Sequence, residues 1–352
     1  MTTFFLNRLA AEPHALAFAG QSTPWPVALA DQTTDPSLDE ALRGHVAAAG
    51  RLLTPVAADL LATTGRPVDL FGFAPNPARL GAAADATASV EGVALTQLGA
   101  LLDLEHLGYS VAQAKPLAVL GHSQGVLAVH MTRAIEAAGS IEAAGKTLNE
   151  ILAVAALIGA AGTRRVRELG LNPKYGEASP MLSVKGATRE QVEALVARVN
   201  NARGPISIAV TNSDNHHVLS GYPEDLAAFA LEAEREHQHQ AKLREQKLHG
   251  GTVFNPTLEY LEVTLPFHSP LMADAVEQTV AWAGACGFDQ KRTRALAEEV
   301  LLNHVDWNAR VKALFDDADP SKLWIVDLGP GNTLGKLIGN VVQGTGIGVV
   351  EA

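Results

Sequence analysis

Apolar residues recur along this chain in two alternating patterns. Stretches rich in Ala, Leu and Glu carry them at helical spacing, and short consecutive apolar runs, typical of buried strands, lie between these stretches. The elements predicted for the first half are a strand at 15–19, helices within 36–64 and 78–107, a strand at 117–120, and helices at 125–138 and 141–170. This alternation predicts an α/β fold built on a sheet with parallel strands.

The pattern changes between about residues 176 and 265. The elements predicted there are a strand at 181–185, a helix at 188–201, strands at 206–212 and 216–220, a helix at 223–247 and a strand at 258–265. This βαββαβ order is that of a ferredoxin-like unit. A helix near 270–285 and an apolar run at 323–328 then return to the first pattern.

We therefore predict two domains. Residues 1–175 and 266–352 form a large α/β domain, and residues 176–265 form a ferredoxin-like domain inserted into it. A cleft between two domains is a common place for a substrate site.

The composition is that of a soluble globular protein, with 352 residues of which 47% are hydrophobic and 18% charged. A net charge of -11 argues against nucleic acid or an anionic membrane as the main partner. The single cysteine, Cys286, excludes a disulfide framework and a multi-cysteine zinc site, and fits a reducing cytoplasm. The longest apolar stretch, 151–162, is shorter than the roughly 20 residues that span a bilayer and predicts a buried helix.

The segment Gly121–Gly125 reads GHSQG and stands between a predicted strand and a predicted helix. This is the setting in which a G-x-S-x-G sequence forms a nucleophile elbow, with Ser123 exposed on a tight turn. Glycines let the backbone bend there, and the N-terminus of the following helix favours the negative charge that develops in acyl transfer. An ordinary turn between a strand and a helix is the alternative interpretation.

A serine nucleophile needs a base, and twelve histidines are available. His268 is the best candidate because Pro266 and Pro270 restrict the backbone around it, where the chain leaves the small domain beside the predicted cleft. A structural histidine at a domain junction is the alternative. His130 lies two helical turns after the elbow, where packing against the sheet is the expected role.

Four segments of the chain resemble the malonyl and acetyl transacylase family, in the family's order and approximate spacing. They are FAGQ at 18–21, GHSQG at 121–125, PFHSPLM at 266–272 and DLGPGNTLGKL at 327–337. The resemblance covers nearly the whole chain. The elbow and the segment at 89–98 are most similar to the acetyltransferase domain of type I fatty acid synthases of the fungal and actinobacterial kind.

The resemblance implies an α/β-hydrolase-like large domain with an inserted ferredoxin-like domain. It also implies a dyad in which Ser123 is the nucleophile and His268 the base. The backbone N–H groups of Gln21 and Gln124 match the family's oxyanion hole, and Gly20 and Gly125 match positions that let the substrate carbonyl approach.

The resemblance further implies that Asn212 faces the pocket and that a backbone carbonyl within 300–303 orients the histidine. The implied substrate is a coenzyme A thioester, with no permanently bound cofactor. The implied partners are the phosphopantetheine arm of an acyl carrier protein, coenzyme A and the other domains of a type I fatty acid synthase, in the cytoplasm and without nucleic acid or membrane.

One position departs from the malonyl-transferring members, which carry an arginine on the helix after the elbow. The matching stretch here contains Ile158 and Gly159, and the next arginine is Arg164. A malonyl carboxylate would be buried there without a partner, so an uncharged acyl group is expected. Arginine placed at Gly159 is then expected to restore malonyl transfer in part, and Arg164 is the alternative carboxylate ligand.

The expected function is transfer of an acetyl group from coenzyme A to an acyl carrier protein through acyl-Ser123, which would prime fatty acid synthesis. The alternatives are a malonyl or long-chain acyl transferase, an esterase or thioesterase that uses the same elbow, and a non-catalytic carrier-docking module. The subgroup resemblance favours an N-terminal domain of a larger synthase over a free-standing enzyme.

Overall fold

Two β-sheets organise the chain in the computed structural model, which describes Leu9 and residues 11–65, 86–171, 178–200, 205–246, 253–317, 319 and 322–351. The strands are β1 (His14–Phe18), β2 (Ala118–Gly121), β3 (Met181–Lys185), β4 (Ser207–Ser213), β5 (His216–Ser220), β6 (Thr257–Tyr260), β7 (Val305–Asp306), β8 (Trp324–Asp327) and β9 (Gly348–Glu351).

Helices connect and cover these strands. They are α1 (Trp25–Gln32), α2 (Pro36–Leu52), α3 (Ala57–Thr64), α4 (Ala86–His106), α5 (Val111–Ala114), α6 (Val126–Ala138), α7 (Ile141–Glu168), α8 (Arg189–Asn200), α9 (Pro223–Glu245), α10 (Ala273–Ala285), α11 (Gln290–Leu301), α12 (Trp307–Lys312), α13 (Leu314–Asp317) and α14 (Thr333–Val342).

The large sheet is parallel throughout, in the order β2-β1-β8-β9. All five residues of β1 are buried, which explains why this strand reads as a continuous apolar run. Ala17 lies opposite Leu120 of β2 on one side and Asp327 of β8 on the other. The predicted α/β architecture is confirmed, and the carboxyl end of β2 delivers the chain directly to Ser123.

Helix α7 runs through the core and packs against α4. Its residues 151–162 are all buried, so the apolar run is a core helix as predicted. The whole helix has 28 residues, however, and is long and apolar enough to cross a membrane. The short length of the apolar stretch 151–162 is therefore no argument against a membrane span. In the most apolar window of the helix, 67% of the residues are buried inside the protein.

The small sheet has the order β6-β3-β5-β4-β7, in which the first four strands form the ferredoxin-like arrangement. Its own apolar core includes Leu219 of β5, Leu195 of α8 and Phe229 of α9. Strand β7 comes from beyond the predicted small domain and pairs in parallel with β4, Val210 opposite Val305. This pairing attaches the segment around residue 303 to the small sheet.

The last strand of the small sheet is shorter than predicted. The pattern predicts a strand over 258–265, whereas β6 ends at Tyr260. Val263 and Leu265 are instead buried in the large core, so packing rather than strand pairing accounts for the apolar alternation. In the predicted helix 78–107, residues 78–85 lie outside the described residues, as does residue 247 of the predicted helix 223–247.

Two helical glycines predict opposite effects of one substitution. A Cβ on Gly92 of α4 would lie 2.5 Å from the ring of Trp25, which is 1% exposed, whereas nothing lies within 4 Å of a Cβ on Gly44 of α2. We expect Gly92→Ala to lower the free energy of unfolding by about 1–3 kcal/mol through overpacking. The matched Gly44→Ala should raise it by about 0.5–1 kcal/mol, because alanine restricts the unfolded chain. Urea denaturation of both variants checks the pair, and equal shifts would contradict the packing at Gly92.

Candidate active site

Ser123 stands on a sharp turn between β2 and α6. The backbone runs through a single 3-10 turn at Ser123–Gly125, and Ser123 has a φ of 52°. A positive φ is costly for a residue with a side chain and is found chiefly where the surroundings enforce it. Ser123 is only 9% exposed, so it is more buried than the sequence predicts, and it borders the cleft described below. This is the geometry expected for a nucleophile elbow.

Close backbone approach explains the two glycines that flank this turn. A Cβ on Gly121 would collide with the backbone nitrogen of Val126, and one on Gly125 would collide with the carbonyl oxygen of Phe18 in β1. Gly125 is therefore required for packing of the elbow against β1. Its missing side chain faces that strand rather than the cleft, so the structure does not give it the expected role of admitting a substrate carbonyl.

Ser123 is hydrogen-bonded to His268. Ser123 Oγ lies 2.7 Å from His268 Nε2, and His268 Nδ1 lies 2.8 Å from the backbone oxygen of Asn303. A carbonyl oxygen only accepts, so Nδ1 carries the hydrogen and donates it, which leaves Nε2 as the acceptor for the serine hydroxyl. The family resemblance implied an orienting carbonyl within 300–303, and the structure shows that it is the carbonyl of Asn303.

Burial dominates the acid–base behaviour of His268, which is 2% exposed. Removal from water disfavours the imidazolium and lowers the pKa of His268 from 6.5 to about 3, although the hydrogen bond to Asn303 acts in the opposite direction. The imidazole is thus neutral and able to accept a proton. The backbone of His268 lies in the left-handed region, with a φ of 55°.

A second histidine supports the elbow. His122 Nε2 lies 2.8 Å from Oδ1 of Asn212, and its ring meets the Trp307 ring edge-on, with 5.2 Å between centroids. Burial lowers the pKa of His122 as well. Arg310 donates a hydrogen bond to the backbone oxygen of Gly121 at 2.9 Å. Of the side chains that support the elbow, the sequence analysis identified only Asn212. His122 could also have been identified, because it directly precedes the nucleophile in the GHSQG segment.

The loop after β1 lies directly against the elbow. A Cβ on Gly20 would lie 2.7 Å from the backbone oxygen of His122, 2.8 Å from Ser123 Cβ and 3.4 Å from the backbone nitrogen of Gln124. The side-chain amide of Gln21 donates to the Gln124 side chain, which in turn donates to the carbonyl of Val90. The structure thus brings Gly20, Gln21 and Gln124 together beside Ser123.

A cleft of about 990 Å³ extends from Ser123 along the small sheet. Asn212 and the apolar side chains of Met181, Val218 and Phe267 are among the residues that line it. No arginine lines this cleft within the described part of the chain. Lys185 lies at its wall, with Nζ 3.1 Å from a carboxylate oxygen of Glu259.

Ile158 and Gly159 of α7, which were expected to contact the acyl group, lie outside the wall of this cleft. Ile158 is fully buried and is not part of the cleft wall. A Cβ on Gly159 would lie 2.5 Å from the carbonyl oxygen of Ala86, so this face of α7 meets the start of α4. The structure therefore places neither residue on the wall of this cleft, and an arginine side chain at Gly159 would disrupt the packing of α7 against the start of α4.

Arg164 is not a carboxylate ligand of the cleft either. Its guanidinium donates to Glu168 at 2.8 Å and to Gln278 at 2.7 Å on the protein surface. His130, expected to pack against the sheet, has a side chain that is 37% exposed and lies 3.6 Å from Glu299. Among the described residues, no group of three or more His, Cys, Asp or Glu side chains could hold a metal ion.

Comparison with known sequences points to fatty acid synthases. The family model for the fatty acid synthase central AT domain matches residues 180–260. The chain is 26% identical over 270 residues to the fatty acid synthase beta subunit TOXC of Cochliobolus carbonum, a match that covers 66% of this chain and 12% of that protein. It is 28% identical over 214 residues to the fatty acid synthase subunit beta of Saccharomyces cerevisiae, covering 53% of this chain and 10% of that protein.

The fold has relatives among solved structures. A malonyl-transacylase solved in complex with the acyl-carrier protein of a type II polyketide synthase superposes with a TM-score of 0.66 at 15% identity, over 97% of this chain and 96% of that one. FabD from Acinetobacter baumannii superposes with a TM-score of 0.60 at 19% identity, over 97% and 94% of the two chains. The chain is thus similar in sequence to a part of fatty acid synthase beta subunits, and its fold is that of the malonyl-transacylases.

Proposed function

We propose that this chain transfers an uncharged acyl group, acetyl in the first place, from coenzyme A to the phosphopantetheine thiol of an acyl carrier protein. The observation that carries the proposal is the hydrogen-bonded series from Ser123 Oγ through His268 to the Asn303 carbonyl. A strained serine paired with a buried neutral imidazole is the arrangement that covalent acyl transfer requires.

In the acylation half-reaction, His268 Nε2 removes the hydroxyl proton as Ser123 Oγ attacks the thioester carbonyl. The carbonyl oxygen becomes an oxyanion, for which the backbone N–H groups of Gln21 and Gln124 are the proposed donors. Collapse of this intermediate breaks the C–S bond. The proton on Nε2 then goes to the departing thiolate, which leaves acyl-Ser123 and free coenzyme A.

The second half-reaction reverses these steps with a different thiol. Nε2 takes the proton of the carrier thiol, the thiolate attacks the ester carbonyl, and the bond to Ser123 Oγ breaks as that oxygen regains a proton from His268. Hydrogen-bonding to Asn303 keeps the same tautomer available for both steps. An acyl carrier protein as acceptor is supported by the malonyl-transacylase complex with its carrier and by the fatty acid synthase relatives.

Preference for an uncharged acyl group is supported by the cleft wall. Apolar side chains such as Phe267 and Val218 line it, and no arginine does so within the described residues. Of the two lysines on the wall, Lys185 faces Glu259, which offsets its charge, and Lys336 is the other cation. The competing proposal is malonyl transfer, because a structural relative of this chain is a malonyl-transacylase.

The dyad predicts that one imidazole serves both half-reactions. We expect His268→Ala to slow acylation by acetyl-CoA and deacylation by a carrier thiol, each by several powers of ten, with the fold intact. Single-turnover mass spectrometry measures both steps, and Ser123→Ala is the control that should form no adduct. Unchanged acylation in His268→Ala would overturn the assignment of the base. Rapid hydrolysis of acyl-Ser123 in preference to transfer would favour an esterase.

The proposed acyl selectivity follows from the absence of an arginine on the cleft wall among the described residues. An unpaired buried carboxylate costs about 3–5 kcal/mol, so acetyl-CoA should acylate Ser123 roughly a hundredfold to a few thousandfold faster than malonyl-CoA. Competition between the two thioesters, followed by the mass of the modified serine peptide, measures this ratio. Equal loading would show that another group in the cleft binds the malonyl carboxylate.

The low pKa of His268 predicts an unusual pH profile. A base works while it is unprotonated, and a pKa of about 3 keeps this imidazole neutral well below the usual histidine value of 6.5. The acylation rate should therefore not fall between about pH 8 and pH 5. The unfolded chain does take up this proton below about pH 6.5, so stability decreases with acidification, and the folded fraction must be measured at each pH. A tenfold fall in rate per pH unit below 6.5 in folded protein would contradict the burial argument.

A further inference from the structure

The peptide group between Gly20 and Gln21 needs an orientation that Ser123 and His268 do not provide. It carries one of the two N–H groups proposed above as oxyanion donors. Such a donor stabilises the transition state only if it points at the position that the oxyanion will occupy. Gly20 cannot hold the peptide by itself, because it has no side chain and many backbone conformations are open to it.

Thr23 contacts the other end of this peptide group. Its Oγ1 donates a hydrogen bond to the Gly20 carbonyl oxygen at 3.0 Å. The C=O and N–H of a trans peptide point in opposite directions. A hydroxyl that holds the carbonyl on one side of the loop therefore directs the Gln21 N–H to the opposite side.

Thr23 is itself fixed by the core. Its backbone oxygen accepts a hydrogen bond from the Trp25 N–H at 2.8 Å, and the Trp25 side chain is 1% exposed at the start of α1. Between Thr23 and Gln21, Ser22 has a φ of 61° and lines the cleft. The loop thus has a strained residue, Ser22, beside the cleft. The hydrogen bond from Thr23 to Gly20 closes the loop across that residue.

The peptide group on the other side of Gly20 is held in a similar way. Nε2 of Gln97, a fully buried residue of α4, donates to the carbonyl oxygen of Ala19 at 2.6 Å. The carbonyl oxygens of Ala19 and Gly20 are therefore both bonded to side chains, one from α4 and one from the loop itself. Only the Thr23 bond is on the same peptide group as the Gln21 N–H.

We propose that Thr23 is a positioning residue, whose hydroxyl sets the direction of the Gln21 N–H by holding the Gly20 carbonyl. This inference rests on the acyl transfer proposed above. Thr23 does not contact the reacting atoms. The Thr23 hydroxyl affects the rate of the step in which the oxyanion forms, and not the affinity for the thioester.

Two variants separate the hydroxyl from the size of the side chain. Thr23→Val keeps the shape and removes the donor, whereas Thr23→Ser keeps the donor. We expect Thr23→Val to slow single-turnover acylation of Ser123 at saturating acetyl-CoA by about tenfold to a hundredfold, less than the roughly hundredfold to thousandfold loss of a whole oxyanion donor. Thr23→Ser should stay within about threefold of the wild-type rate, and the acetyl-CoA concentration at half-saturation should be unchanged in both.

The chain offers a matched control. Thr33 Oγ1 donates to the Ala30 carbonyl at 3.0 Å, the same bond to the third preceding residue, at the far end of α1. Thr33→Val should therefore match Thr23→Val in loss of thermal stability and acylate like the wild type. A wild-type acylation rate in Thr23→Val overturns the proposal. An equal loss of rate in Thr33→Val also overturns it, as does a change in Thr23→Val that is confined to the acetyl-CoA concentration at half-saturation.

A second readout keeps this test independent of the substrate. An alkyl fluorophosphonate modifies a nucleophilic serine and develops charge on oxygen without needing a thioester. Thr23→Val should slow this modification of Ser123 as well, with Thr23→Ser close to wild type. If acetyl-CoA fails to acylate the wild type, the proposed function fails, while the fluorophosphonate rates of the three proteins still decide the role of Thr23.

Discussion

The contact on which this site depends is the approach of the backbone of the first strand to the backbone of the elbow. Gly125 lies against Phe18, and Gly20 lies against His122 and Ser123, at distances that leave no space for a side chain. Because backbone meets backbone, the serine is held by the central sheet itself rather than by adjustable side chains. The parallel pairing of β1 with β2 fixes their register, with Phe18 opposite Gly121, and so positions the loop after β1 against the elbow after β2.

Histidine is brought to this serine by a different set of elements. The chain leaves β6 at Tyr260, crosses back to the large core through Val263 and Leu265, and reaches His268. The carbonyl that orients the imidazole belongs to the segment before β7, and β7 pairs with β4 of the small sheet. The geometry of the dyad therefore depends on both sheets, and a shift of one sheet against the other would change the distance from Ser123 to His268.

Much of this arrangement could be predicted from the sequence, for reasons that are local. Strand and helix periodicity gave the α/β architecture and the βαββαβ order of the small domain, and the GHSQG segment gave the turn. The site residues that sequence motifs carry, such as Ser123, His268 and Asn212, are brought together by the structure. Motifs succeed here because each depends on backbone features, a tight turn or a proline-flanked loop, that a few adjacent residues specify.

Predictions failed where the answer depended on which face of an element meets which neighbour. Gly159 has the apolar surroundings of a pocket residue in the sequence, but the rotation of α7 turns it towards Ala86. Val263 and Leu265 have the alternation of a strand, yet their partner is the large core. The family resemblance limited the orienting carbonyl to 300–303 but did not single out Asn303, and the role of Thr23 was not predicted, because both contributions involve a backbone oxygen that a residue type does not reveal.

Both members of the dyad have left-handed backbones, and each such residue costs of the order of 1–3 kcal/mol. Ser123 and His268 thus lower the stability of the native state. Replacement of either by glycine would relieve this cost and remove the chemistry at the same time. Selection for stability alone would not retain either strained backbone, and the acyl transfer proposed for this site gives a reason to retain both.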